Sequence, residues 1–198
     1  MEISDFWGQS RKIRTVSIDT NVISDILALK LYHLKKIGGF QDRWEKSFQL
    51  LSLLFTVKVK RLGINVVKRE LSGYASLRKL YDTVFTKTIP TSTAIRRLAK
   101  AYREKINIKP ADSFILATAS VKNIDCFFSW NRRDIVNVKT LKAVRKINKK
   151  RKFKMPLIIT PEDFLKRFAI SQVFTLGFYR EAIPRGYRPH FSSSKQIL

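Results

Sequence analysis

Apolar residues along the chain fall into short continuous runs separated by stripes of helical period. Residues 13 to 18, "IRTVSI", have the length and β-branched content of a buried strand, and Thr20 or Asn21 stands ready to cap a following helix. Ile23, Ile26, Leu27, Leu31 and Leu34 then recur at helical spacing until Gly38-Gly39, and Trp44, Phe48, Leu51 and Phe55 mark a second amphipathic helix to about residue 58. "INVV" (64 to 67) reads as a second strand and "KRELSGYASLRKL" as the start of another helical stretch. "TAIRRLAKAYREKI" places Ile95, Leu98, Tyr102 and Ile106 on one helical face. Pro110 forces a break before "ADSFILATASVKN", which is apolar almost all round and so predicts a buried helix. "DCFFSW" (125 to 130) and "PLIIT" (156 to 160) complete the strands, with a basic helix "TLKAVRKINKK" between them and "PEDFLKRF" after. Alternating strands and helices in this order predict an α/β fold: a three-layer α/β/α sandwich with a central parallel sheet. It should occupy residues 1–168, followed by an irregular C-terminal extension, 169–198, where periodicity gives way to Gly, Pro and Ser.

Charge changes the picture more than composition does. The 198 residues include 40 Lys and Arg against 15 Asp and Glu, a net charge of +25, so polyanions are the natural partners. Fourteen Phe, six Tyr and three Trp in patterned segments belong to a packed globule and not to a basic tail. No window approaches the ~18–20 apolar residues of a membrane span, and the N-terminus lacks the apolar core of a signal peptide, which predicts a cytoplasmic protein. One cysteine, Cys126, and two histidines exclude an intramolecular disulfide and a Cys- or His-rich metal site.

The scarce acids are placed suggestively. In a parallel sheet, ligands collect beyond the carboxyl ends of the strands. Asp19 follows the first strand, Glu70 the second and Asp134 the third, while Asp112 opens the buried helix after Pro110. Each has an ordinary reading as a helix cap, a turn residue or a solvated acid. Together they would repel: two carboxylates about 4 Å apart cost about 4 kcal/mol at an effective dielectric of ~20, which calls for a cation or for shifted pKa values. An all-oxygen donor set suits Mg²⁺ or Mn²⁺, and such an ion at the rim of a basic protein suits phosphodiester chemistry.

"VSIDTNVISDIL", "VVKREL", "KPADSFILATASVKNIDCFFSWNRRDI" and "PLIITPEDFL", in this order, resemble the motifs of PIN-domain nucleases, including the toxins of toxin–antitoxin pairs. The resemblance covers roughly residues 14 to 168 and implies a metal-dependent endoribonuclease. By it Asp19 is the first metal-binding acid, oriented by Asn21; Glu70 and Asp112 are the second and third. Many members carry a Thr-x-Asp arrangement after the third strand, where this chain has "SWNRRDI". Ser129 takes the hydroxyl position, Asn131 falls where an Asp often stands, and either Asp134 or Asn131 completes the site. The segment around residues 40 to 62 and the tail are additions to the compact toxin form. A protein antitoxin and a homodimer are the protein partners the resemblance allows, and an RNA-processing role is the alternative to a toxin.

Two basic faces could carry the RNA. Lys139 to Lys154 holds nine basic residues and no acid, and in a helix Lys142, Arg145, Lys146, Lys149 and Lys150 form one stripe. Arg96, Arg97, Lys100 and Arg103 form another. Both patterns also fit solvated helix faces. Trp130, Phe178, Tyr179 and Tyr187 are candidates for base stacking. The competing function is a noncatalytic, basic RNA-binding module that retains the same fold.

Overall fold

A computed structural model describes residues 13–33 and 41–173, with the ends of the first and last helices described by backbone alone. Leu34, Gly38-Gly39 and the aromatics Phe178, Tyr179 and Tyr187 lie outside the described residues. Five strands, β1 (Thr15–Ile18), β2 (Lys60–Ile64), β3 (Lys87–Ile89), β4 (Cys126–Phe128) and β5 (Leu157–Ile159), form one sheet in the order β3-β2-β1-β4-β5. Every pairing is parallel. The helices are α1 (Thr20–His33), α2 (Gln41–Thr56), α3 (Asn65–Glu70), α4 (Ala75–Val84), α5 (Thr93–Lys105), α6 (Pro110–Val121), α7 (Val138–Lys150) and α8 (Pro161–Val173). The chain divides into two compact units, Met1–Leu165, which holds the sheet, and Lys166–Leu198, whose described part is the remainder of α8.

The crossovers explain the layers. From β1 to β2 to β3 the chain steps one way across the sheet; from β3 it passes to the far side of β1 and steps the other way to β4 and β5. Right-handed connections then put α1 to α4 on one face and α5 to α7 on the other, giving the expected three-layer sandwich. The direction reverses between β1 and β4, where Ile18 lies opposite Phe128. Beyond that pair the chain leaves the sheet at Asp19 and Ser129, opening the crevice in which such folds bind ligands.

Tyr102 of α5 shows how the second layer is knit. Its hydroxyl is fully buried, bonds Ser120 of α6 at 3.0 Å and donates to Asn148 of α7. Asn148 in turn donates to Ser120 at 2.9 Å, so three helices share one polar knot. Burial pushes the Tyr102 phenol up to about 12. α6 buries residues on all sides, from Asp112 to Ser120, as its composition predicts.

Two elements differ from expectation. Of residues 64 to 67 only Ile64 is strand, the last residue of β2; residues 65 to 67 are helical, in α3, where Val67 and then Leu71 are the buried positions. The strand lies just before, in "KRLGI", where two cations mask it. Arg61 is nevertheless accommodated, donating to the Val84 carbonyl at 2.8 Å and the Leu54 carbonyl at 3.0 Å with its guanidinium over the Phe55 ring. The other difference is β3, a three-residue edge strand too short to show a pattern. Gly63 of β2 is required by its neighbour, since a Cβ there would fall 2.1 Å from the Tyr81 hydroxyl.

Candidate active site

Asp19 is the first residue past β1, and its N–H extends the sheet by donating to the Phe128 carbonyl at 2.9 Å. Its carbonyl accepts from Val22 and Ile23, so Asp19 itself, and neither Thr20 nor Asn21, occupies the cap position of α1. The side chain is 5% exposed. One carboxylate oxygen accepts from the Thr20 N–H at 2.8 Å; the other accepts from Asn21 Nδ2 at 2.8 Å and Ser129 Oγ at 2.6 Å. Asn21 also receives the Trp130 N–H on its Oδ1 at 3.0 Å, so it orients the acid from α1 while holding the loop after β4.

That loop carries the line of contacts onward. The Asn131 N–H donates to Ser129 Oγ at 3.0 Å, Asn131 Nδ2 lies 3.4 Å from Asp112 Oδ2, and Asn131 Oδ1 accepts the Asp134 N–H at 2.9 Å. Asn131 therefore presents its NH₂ to one acid and engages its oxygen with the backbone beside another. Asp112 lies in the first turn of α6 and is 9% exposed. Glu70, the last residue of α3, is exposed and accepts a short hydrogen bond from the Thr20 hydroxyl.

Electrostatics tie the acids together. Burial pushes the Asp19 carboxyl up to about 6, the charges of Glu70 and Asp112 adding to it against the Ser129 and Thr20 hydrogen bonds. Burial likewise pushes Asp112 up to about 6, with Asp134 and Glu70 adding and Lys109 and Asn131 opposing. Two cations stand by Asp134, Lys109 Nζ at 3.7 Å and Arg133 Nε at 3.9 Å. Asp125, at the amino end of the same sheet, contrasts with them. Burial would raise it, but the Lys154 ammonium and the Arg14 and Thr15 donors outweigh that and hold its carboxyl at about 2. Asp125 thus meets a cation that offsets its burial, whereas the charges acting on Asp19 are those of other acids.

Whether these residues fit a hard cation turns on their donor chemistry. All are oxygen donors, two of them carboxyls whose ionisation is opposed by burial and by neighbouring acids, Glu70 acting on both. Among the described residues, no three His, Cys, Asp or Glu side chains are grouped closely enough to hold a metal ion together, so Asp19, Glu70, Asp112 and Asp134 do not form one shared ligand set. Mg²⁺ does not require a cage, since it keeps several waters and is commonly held by one or two carboxylates together with substrate phosphate. By donor chemistry alone, Asp19 and Asp112 are the two buried carboxyls that would hold an ion of that kind.

Both basic stripes are exposed: Arg96, Arg97, Lys100 and Arg103 on α5, and Lys142, Arg145, Lys146, Lys149 and Lys150 on α7. Lys100 reaches Glu104 at 3.9 Å. Trp130 is not an open stacking platform, because its indole N–H donates to Ser47 Oγ at 2.7 Å and the Arg43 guanidinium lies 5.6 Å from its ring centre. Thr20 as a partner of Glu70, and Lys109 and Arg133 beside Asp134, were not singled out by sequence. "KPAD" and "RRD" set those two cations within three residues of a site acid, and that proximity was the available signal.

No protein-family model matches the chain, and no curated protein matches it in sequence. A chain from a solved structure described as a toxin-antitoxin complex from Klebsiella pneumoniae is similar over 64% of this chain and 94% of its own, at 18% identity and a TM-score of 0.45. A likeness of that size carries no functional argument. Among the described residues, no helix is long and apolar enough to cross a membrane.

Proposed function

We propose that the protein is a metal-dependent endoribonuclease of the PIN type, with Asp19, Glu70, Asp112 and Asp134 as its acidic site. The observation that supports this best is the crowding of buried Asp19 and Asp112, with Glu70 acting on both, at the reversal point of a parallel sheet in a chain of net charge +25.

A Mg²⁺ or Mn²⁺ ion held there would neutralise the acids, lower the pKa of a water and stabilise the charge on a phosphoryl group. Asp19, after β1, and Asp112, in α6, would hold it. Asn21 and Ser129 fix the Asp19 carboxylate through its Oδ2, and Asn131 fixes Asp112. Glu70, free of burial and tethered to Thr20, is placed to take a proton from the attacking water. Lys109 and Arg133 hold the phosphates flanking the cut bond, and the stripes on α5 and α7 bind the remaining backbone without reading sequence. RNA as substrate, and a toxin or processing role for the cleavage, come from the resemblance of the motifs.

Purified protein is incubated with total RNA in Mn²⁺, with and without EDTA, and the cut ends are mapped. Cleavage that EDTA abolishes, and that Asp19→Asn loses while RNA binding persists, supports the reading. The noncatalytic RNA-binding alternative, favoured by Asn131 in an acid's place, predicts binding that survives EDTA and no cleavage under either condition.

A further inference from the structure

Four residues on the other side of the loop after β4 form a closed polar ring that no part of the proposed chemistry uses. The Trp130 Nε1–H donates to Ser47 Oγ at 2.7 Å, and the Ser47 hydroxyl donates to Asp25 Oδ2 at 2.9 Å. Asp25 receives Arg43 in a two-pronged pair, Nε to Oδ2 and Nη2 to Oδ1, both at 2.9 Å. The Arg43 guanidinium then lies 5.6 Å from the centre of the Trp130 ring, which returns to the starting residue. Asp25 is 4% exposed and Ser47 fully buried. Asp25 comes from α1, Arg43 and Ser47 from α2, and Trp130 from the loop.

The alternation of side chains along that loop gives the ring its meaning. Ser129 and Asn131 point to the acids, Ser129 Oγ reaching Asp19 at 2.6 Å and Asn131 Nδ2 lying 3.4 Å from Asp112. Trp130, between them, points away to α2. The backbone here is tied on both sides, the Trp130 N–H to Asn21 Oδ1 and the Asn131 N–H to Ser129 Oγ, so anchoring the Trp130 side chain restrains the backbone from which its two neighbours project. A bidentate Arg–carboxylate pair and an indole N–H bond are directional, and although the Arg43 side chain is 40% exposed, the acceptors Asp25 and Ser47 are buried and are not solvated in their place at low cost.

Resting on the nuclease reading, we infer that Trp130, Ser47, Asp25 and Arg43 are positioning residues that hold Ser129 and Asn131 in register with Asp19 and Asp112, so that α2 braces the acidic site from behind. None of the four touches the reacting atoms. The RNA-binding stripes are on α5 and α7, and of the proposed phosphate contacts only Arg133 shares the loop, so the ring acts on the rate of the chemical step far more than on substrate affinity. Displacements near 1 Å at a reacting centre cost on the order of a hundredfold in rate, which sets the scale of the effect.

The test uses the full chain with two variants, Trp130→Phe, which keeps the ring and removes its N–H, and Ser47→Ala, which removes the bridging hydroxyl. In the first arm, hydrogen exchange is followed at the Trp130 and Asn131 amides, which donate to Asn21 Oδ1 and Ser129 Oγ. Either variant should speed exchange there at least tenfold and leave the β1 and β4 amides unchanged; no change at Trp130 and Asn131 in both variants overturns the proposal. In the second arm, Mn²⁺-dependent cleavage is measured well below the unfolding temperature. The expected outcome is kcat lowered ten- to a hundredfold, with KM and RNA affinity in EDTA within twofold of the parent, and with the double variant no worse than the poorer single. A rise in KM at unchanged kcat, or losses that multiply in the double variant, overturns it. Absence of cleavage by the parent protein refutes the nuclease reading alone, and the exchange arm then decides the positioning role by itself.

Discussion

Replacing Asp19 by Asn should make the metal-free protein more stable while removing its activity. Asp19 is 5% exposed and its carboxyl is moved from 3.8 to about 6, chiefly by burial. At ~1.4 kcal/mol per pH unit, the ionised side chain is disfavoured in the folded state by about 3 kcal/mol. The amide of Asn keeps the bond from the Thr20 N–H, but its NH₂ meets the Nδ2 of Asn21 where an acceptor stood, which costs about 1 kcal/mol. The difference, about 2 kcal/mol, corresponds to a rise of roughly 4–8 °C in Tm for a domain of this size. The sign follows from linkage. Because the folded-state pKa exceeds the unfolded one, the parent protein has no penalty below pH ~4, acquires it as pH rises through the interval up to about 6, and has it in full above. Thermal unfolding of parent and variant in EDTA at pH 4 and pH 7.5, beside a cleavage assay in Mn²⁺, tests both halves. The gain should be present at pH 7.5 and absent at pH 4, with cleavage reduced at least a hundredfold. A variant no more stable than the parent at pH 7.5, or one that cuts RNA within threefold of the parental rate, would refute the idea that Asp19 is a charge held in place for a cation.

Three further outcomes are expected. Mn²⁺ binding followed by calorimetry in buffers of different ionisation enthalpy should release about one proton at pH 6, where Asp19 and Asp112 are each about half protonated, and almost none at pH 8; equal release at both would exclude these carboxyls as ligands. Removing three cations from α7, Lys142, Lys146 and Lys149, to Gln should reduce the slope of log affinity for single-stranded RNA against log salt by about 0.7 for each phosphate no longer neutralised, and an unchanged slope would leave that stripe as solvated surface. Tyr102→Phe should destabilise the fold by about 1–3 kcal/mol in denaturant unfolding, because it strips a shared partner from buried Ser120 and Asn148, while cleavage at 25 °C stays the same.

The layer architecture was legible because α5 and α6 show their burial in their spacing: Ile95, Leu98 and Tyr102 are fully enclosed and lie three and four residues apart. What misled was chemistry at single positions. The β-branched pair Val66-Val67 has strand character, yet the burial of Val67 and Leu71 follows a helix. Lys60 and Arg61 look unsuited to a central sheet, yet β2 admits them because Arg61 finds two carbonyls and a ring to cover it. At the site, the burial of Asp19 and Asp112 could be anticipated from a strand end and a buried helix start. The part taken by Asp25, Arg43 and Ser47 could not, since it depends on which face of α2 meets the loop after β4, a relation between segments more than eighty positions apart.

The bond between Ser129 and Asp19 joins residues 110 positions apart, and the Asp19 N–H closes on Phe128. Neither can form on a ribosome until β4 has emerged and settled beside β1, after α1 to α6 have already been made. An incomplete chain carrying Asp19 and Glu70 alone has no Ser129 to hold the first acid and no Asp112 to oppose it. The order in which the strands appear therefore delays assembly of the acidic crevice until β4 is in place.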